Sequence, residues 1–218
     1  MPSFRCSAIL FDLDGVLLDS TRVVAQQYTI WANEHGLDPT EVLKASHGVR
    51  TIEVIGWFAP HLDAEAETRK IEAREAAATD VTAMPGALEL LASIPEGRWC
   101  VVTSGSRHLA TTRMRRFGVP IPKILVTADD VKHGKPDPEP YRKGAELLQM
   151  NPAECVVVED APAGIRAAHA AGMKVISLPT TYPVSELHEA EAIVSGLLKI
   201  NVSLDGAGGR SPLLVTLG

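Results

Sequence analysis

The feature that most constrains the fold is a short apolar run near the N-terminus that ends in two acidic residues. Residues 8–11 read Ala-Ile-Leu-Phe, and Asp12, Leu13, Asp14 and Gly15 follow. Such a run is typical of a buried strand. Carboxylates at its end are costly unless a cation neutralises them, and at positions i and i+2 they can share one side of the chain. The stretch predicts two carboxylates aimed at one divalent cation and one reacting group, although a polar turn could have the same local sequence.

Composition and charge narrow the classes of function. The chain has 218 residues, 45% of them hydrophobic, and a net charge of −6. This charge disfavours nucleic-acid binding but leaves room for a small phosphorylated metabolite. Three widely spaced cysteines without a Cys-x-x-Cys pair indicate buried thiols in a reducing compartment. Because no signal pattern and no membrane-length apolar run is found, we expect a cytoplasmic protein without a membrane partner, as a monomer or weak dimer.

The order of the local patterns predicts the architecture. Residues 20–80 carry helical patterns without a convincing strand, and strand and helix patterns alternate from Met84 onwards. This alternation predicts an α/β fold: a Rossmann-like parallel sheet core with helices on both faces and an inserted α-helical cap. The predicted core comprises residues 1–19 and 83–218, and the predicted cap comprises residues 20–82. The tail from Asn201 is expected to be flexible, except that residues 213–217 could pair with another strand.

Polar clusters follow three later predicted strands, where open α/β sheets bind their ligands. Thr103 and Ser104 precede a predicted helix and could bind an anion, or a serine there could simply cap the helix. Lys135 lies in a proline-rich loop and would be a fixed positive charge. Glu159 and Asp160 end another buried strand, and they could complete a cation site or form a charged helix cap.

Together these four clusters resemble the four motifs of the haloacid dehalogenase superfamily, in the family's order. The resemblance implies that Asp12 is a covalent nucleophile and that Asp14 is the general acid and base of the phosphatase branch. It implies that Thr103, Ser104 and Lys135 bind phosphate. It also implies that Mg²⁺ binds to Asp12, to the backbone carbonyl of Asp14 and to Asp160, with Glu159 either a further ligand or a residue behind the ligands.

Two further features bear on the branch of the family. His47-Gly48-Val49-Arg50-Thr51 resembles the substrate-specificity segment of the family's helical cap, which implies that Arg50 and His47 contact substrate, although both could be ordinary surface residues. The β-phosphoglucomutases carry a hinge histidine that helps to block hydrolysis, and residues 22–25 of this chain contain none. This difference favours water as the phosphoryl acceptor.

The sequence therefore predicts a Mg²⁺-dependent phosphatase that hydrolyses a sugar phosphate or glycerol phosphate through an aspartyl-phosphate. A phosphosugar mutase is the near alternative. A binding protein without turnover is the distant one, and it is disfavoured because Asp12, Asp14, Lys135 and Asp160 are all present.

Overall fold

A six-stranded parallel sheet forms the centre of the protein, in a computed structural model that describes residues 2–206 and 211–218. The strands, in sheet order, are β6 (Leu125–Val126), β5 (Trp99–Val102), β2 (Ala8–Phe11), β7 (Cys155–Glu159), β8 (Lys174–Ser177) and β9 (Ala192–Ile193). The apolar run that precedes Asp12 is thus an interior strand, as its composition predicts, and all four of its residues are buried. The predicted α/β fold is confirmed.

Helices cover both faces of this sheet: α5 (Ala87–Ser93) and α6 (Arg107–Arg116) on one face, α7 (Glu139–Leu148) and α8 (Pro162–Ala170) on the other. Alternate side chains of β2 explain the two layers, because successive residues of a strand point to opposite faces. Ile9 and Phe11 pack in the cluster that contains α5 and α6, and Ala8 and Leu10 pack in the cluster that contains α7 and α8. Cys6, Cys100 and Cys155 are buried free thiols, as expected.

Four helices lie between the first strands and the rest of the sheet, and we call residues 21–77 the four-helix segment. They are α1 (Thr21–Glu34), α2 (Pro39–Ser46), α3 (Thr51–Phe58) and α4 (Ala64–Ala77). They have an apolar cluster of their own, centred on Tyr28, Trp31 and Ile55. Short strands β3 (Leu18–Asp19) and β4 (Thr82–Ala83) pair where the chain enters and leaves this segment. The division into core and cap domains stays a prediction, which the separate clusters support.

The C-terminal tail differs from its predicted flexibility. Strands β10 (Ile200–Leu204) and β11 (Leu213–Leu217) form an antiparallel sheet with β1 (Ser3–Cys6), in the order β1-β11-β10. Leu213, Val215 and Leu217 are buried in the same cluster as α5 and α6, so apolar burial orders the tail. The pairing of residues 213–217 is confirmed. Residues 207–210, in a glycine-rich part of this tail, lie outside the part of the chain that the structure describes.

None of the helices in the described residues combines the length and the apolar character needed to cross a bilayer.

Two adjacent leucines test the contribution of the tail to stability. Leu213 is fully buried and Leu214, on the other face of β11, is partly exposed. We expect Leu213→Ala to lower the free energy of unfolding by about 2–5 kcal/mol and Leu214→Ala by about 1 kcal/mol or less. Denaturant unfolding measures both values. Equal losses for the two variants would show that β11 does not pack as described.

Candidate active site

The carboxyl ends of β2, β5 and β7 bring the predicted clusters together. Each strand is followed directly by one of the predicted residues: Asp12 after β2, Thr103 after β5 and Asp160 after β7. These three residues line one cavity. Asp14, Ser104 and His47 line the same cavity. Helices α1, α3 and α4 of the four-helix segment supply much of the opposite wall. The site therefore lies between the sheet edge and the four-helix segment.

A buried lysine occupies the centre of the cluster. Lys135 is 1% exposed, and its Nζ donates to Asp12 Oδ1 at 2.6 Å, Glu159 Oε1 at 2.7 Å and the Val102 carbonyl at 3.1 Å. Burial alone would lower the pKa of this ammonium, but the attraction of the two carboxylates outweighs it and raises the pKa. Lys135 is therefore a fixed positive charge beside Asp12.

Both carboxylate oxygens of Glu159 accept hydrogen bonds from protein groups. Oε1 accepts from Lys135 and from the Tyr141 hydroxyl at 2.8 Å, and Oε2 accepts from the backbone N–H groups of Asp160 and Ala161 at 2.8 and 3.0 Å. These contacts fix the carboxylate that in turn orients Lys135. Sequence reasoning missed Tyr141, whose position in an apolar helix face resembles an ordinary core residue.

Three carboxylates form an acidic cluster next to this lysine. Asp12, Glu159 and Asp160 are buried, and each offers one oxygen within 4.8 Å of the others. Burial raises the pKa of Asp12 to about 7 and, together with the charges of Glu159 and Asp12, raises the pKa of Asp160 well above its ordinary value. One ammonium does not balance three carboxylates. Because both oxygens of Glu159 already accept from protein groups, Asp12 and Asp160 are the carboxylates that suit a hard divalent cation with oxygen ligands, such as Mg²⁺.

The turn after Asp14 requires glycine. Gly15 adopts a positive φ of 82°, and a β-carbon there would overlap the Asp160 carboxyl group.

Asp14 has partners that differ from those of Asp12. Asp14 Oδ1 accepts from Ser20 Oγ at 2.5 Å and from Arg113 Nη1 at 2.7 Å. The two aspartates therefore have separate partners: Asp12 contacts Lys135 and Asp14 contacts Arg113.

Arg113 connects Asp14 to the four-helix segment. This α6 residue is 1% exposed, and its Nη2 donates to Glu75 Oε2 of α4 at 3.2 Å. Neither residue was singled out from the sequence. The one local signal is that Arg113 shares a helix face with the buried Leu109 and Ala110, at helical spacing.

The predicted phosphate-binding hydroxyls lie on the same cavity wall. Thr103 is 4% exposed, and its Oγ1 accepts from the Gly105 N–H at 3.2 Å. Ser104 Oγ donates to the Gly48 carbonyl of the four-helix segment at 2.8 Å. The helix cap is Ser106, whose side chain accepts from the Leu109 N–H at 3.3 Å. Capping by Ser106 leaves Thr103 and Ser104 at the cavity.

The two predicted specificity residues of the four-helix segment differ in position. His47 lines the cavity and packs edge-on against Tyr182, and burial lowers the pKa of its ring. Arg50 lies in a neighbouring groove. Its guanidinium donates to the carbonyls of Val131 and Lys132 and to Glu53, which fastens the segment to the loop before Lys135. Its contact with substrate stays a prediction.

Comparisons with known proteins identify the family of this chain. A family model described as haloacid dehalogenase-like hydrolase matches residues 6–172. The chain is 42% identical over 205 residues to hexitol phosphatase A of Escherichia coli strain K12, covering 91% of this chain and 95% of that one. It is 35% identical over 237 residues to 2-deoxyglucose-6-phosphate phosphatase 2 of Saccharomyces cerevisiae, covering 96% and 95%. A solved structure of a hydrolase from Pseudomonas syringae has a TM-score of 0.78 and 27% identity over 88% of this chain and 94% of that one.

The chain therefore belongs to the haloacid dehalogenase-like hydrolases, which confirms the predicted family.

Gly164 offers a test of how Glu159 supports the site. A β-carbon at Gly164 would overlap the Glu159 carboxyl group, whereas one at Gly56 of α3 would meet nothing within 4 Å. We expect Gly164→Ala to displace Glu159 and Lys135 and to lower kcat/KM about 100-fold, because small misplacements of catalytic groups are that costly. Gly56→Ala should leave kcat/KM unchanged. Full activity of Gly164→Ala would contradict the role given to Glu159.

Proposed function

We propose that this protein hydrolyses the phosphate monoester of a small sugar or polyol, such as a hexose, a hexitol or glycerol, through a covalent aspartyl-phosphate on Asp12. The observation that carries the proposal is the pair of aspartates two residues apart with separate cationic partners, Lys135 for Asp12 and Arg113 for Asp14. Two carboxyl groups held in different surroundings can perform different steps of one reaction. The names of the relatives support the phosphatase class.

Phosphate binding falls to the groups at the sheet edge. The Lys135 ammonium offsets negative charge on the phosphate and on Asp12, and its bond to Asp12 Oδ1 fixes the rotamer of that carboxylate. The Thr103 hydroxyl and the Ser104 N–H hold phosphate oxygens. Mg²⁺, when bound, neutralises further charge on these oxygens, and the Asp12 and Asp160 carboxylates with the Asp14 backbone carbonyl would hold it.

The chemistry then takes two displacements at phosphorus. An oxygen of Asp12 attacks phosphorus, the ester P–O bond breaks, and Asp14 donates a proton to the leaving alcohol. In the second step Asp14 accepts a proton from a water molecule, whose oxygen attacks phosphorus and releases phosphate from Asp12. The contact of Asp14 with Ser20 and Arg113 holds its carboxyl group at the leaving-group side.

The four-helix segment serves as the cap, corresponding to residues 20–82. It closes the cavity from the side opposite the sheet, which excludes water from the first step and selects the alcohol. The paired strands β3 and β4 are the connection about which it would move.

Phosphate release from a panel of glycerol, pentose, hexose and hexitol phosphates tests this function. We expect activity that EDTA abolishes and Mg²⁺ restores, because the acidic cluster needs a cation. Asp12→Asn should lower kcat at least about 1,000-fold, since it removes the nucleophile. Asp19→Asn, a change of the same size at a nearby exposed position, should stay within about twofold.

Equal rates for the wild type and Asp12→Asn would contradict the assignment of Asp12. Conversion of glucose 1-phosphate to glucose 6-phosphate with a bisphosphate primer, without release of phosphate, would identify the protein as a mutase instead.

A further inference from the structure

The part of the cavity beyond Asp14 has an unusual balance of charge. Arg113 is the one lysine or arginine among the described residues that line this cavity. Its guanidinium is held between Asp14 Oδ1 at 2.7 Å and Glu75 Oε2 at 3.2 Å. Its positive charge is therefore already matched inside the protein.

A further carboxylate lies near this pair but outside the cavity. Glu72, one turn before Glu75 on α4, lines the neighbouring groove and accepts from the Ser106 N–H at 3.0 Å. Burial raises the pKa of Glu75 to about 7, with Asp14 and Glu72 raising it and Arg113 lowering it. Arg113 therefore already has two carboxyl partners, Asp14 and Glu75, and none of the other described residues that line this cavity is a lysine or arginine.

The rest of this wall consists of uncharged hydrogen-bonding groups. Ser46, Thr51 and Tyr28 bring hydroxyls to the cavity, and the Tyr28 hydroxyl donates to Thr51 Oγ1 at 3.0 Å. Burial lowers the pKa of the His47 ring, which disfavours its charged form. Arg50, in the neighbouring groove, is paired with Glu53 at 2.7 Å. No free cation faces a second anionic group on the substrate among these described residues.

We propose that Glu75 and Arg113 are specificity-determining residues, which select an uncharged polyhydroxylated alcohol as the leaving group and reject one that carries a carboxylate or a second phosphate. This inference rests on the proposed phosphatase function, and it adds that the alcohol part of the substrate carries no charge. Hydroxyl groups can donate to carboxylates, whereas a second anion would meet them as a like charge without a partner.

Two substrates with the same number of carbon atoms separate charge from size. Glucitol 6-phosphate and 6-phosphogluconate differ at the carbon farthest from the phosphate, which is an alcohol in the first and a carboxylate in the second. We expect the wild type to favour glucitol 6-phosphate on the order of 100-fold in kcat/KM, because a like charge without a partner opposes binding. The ratio is measured on one preparation, so the fraction of folded enzyme cancels.

Charge-removing variants then locate the origin of this ratio. Glu75→Gln should reduce the ratio about tenfold, mainly by lowering KM for 6-phosphogluconate, because it removes one of the two carboxylates that occupy Arg113. Glu41→Gln, which removes the same charge from an exposed position of α2, should leave the ratio unchanged. Glu75→Asp keeps the charge and should keep the preference.

The outcomes distinguish this inference from the function on which it rests. Equal kcat/KM for the two esters, a ratio unaltered by Glu75→Gln, or hydrolysis of p-nitrophenyl phosphate but of neither ester would overturn the inference alone. If p-nitrophenyl phosphate and all other esters are left intact in the presence of Mg²⁺, the proposed function fails and the inference fails with it.

Discussion

The site depends on one interaction, the burial of the Lys135 ammonium among Asp12, Glu159 and the Val102 carbonyl. A cation that is taken out of water must have partners, and removing any one of them leaves an uncompensated charge in the interior. These partners come from β5 and β7 and from the residue after β2, so the charge ties three neighbouring strands to the proline-rich loop. Glu159 in turn is held by Tyr141 and by two backbone N–H groups. The sheet thus fixes the nucleophile proposed here before any substrate binds.

A second set of contacts joins the sheet edge to the four-helix segment. Asp14 reaches Glu75 through the buried guanidinium of Arg113, and Arg50 binds the carbonyls of the loop before Lys135. Most of these contacts are polar and lie between side chains or backbone groups of separate layers. Opening the segment would return these charged and polar groups to water, whereas separating a packed apolar core would expose apolar surface. This difference suits the cap movement proposed here. The residues proposed to select the alcohol therefore also join the two layers.

Local sequence patterns were sufficient for the sheet and for the groups at its edge. The apolar runs before Asp12, Thr103 and Asp160 predict strands, and parallel strands end on the same side, which brings these residues together. Arg113 and Glu75 were not predicted, because each lies in a charged helical stretch and only the three-dimensional packing pairs them. The antiparallel sheet was only partly predicted. Short β1 precedes β2 with a single residue between them, and the partner of β11 is set by long-range pairing. Arg50 shows the same limit, since a motif predicts the residue but not its contacts.

The covalent intermediate is the central claim, and the Asp14→Asn variant with p-nitrophenyl phosphate gives the most direct access to it. Nitrophenolate leaves without a proton, so Asp12 can still attack, whereas the water that hydrolyses the intermediate has lost its general base. Acid quenching, proteolysis and mass spectrometry would then show one phosphoryl group on the peptide that contains Asp12. The same peptide should stay unmodified when Asp12→Asn is added. Release of nitrophenolate with no phosphorylation of Asp12, or with phosphorylation of another residue, would contradict the account.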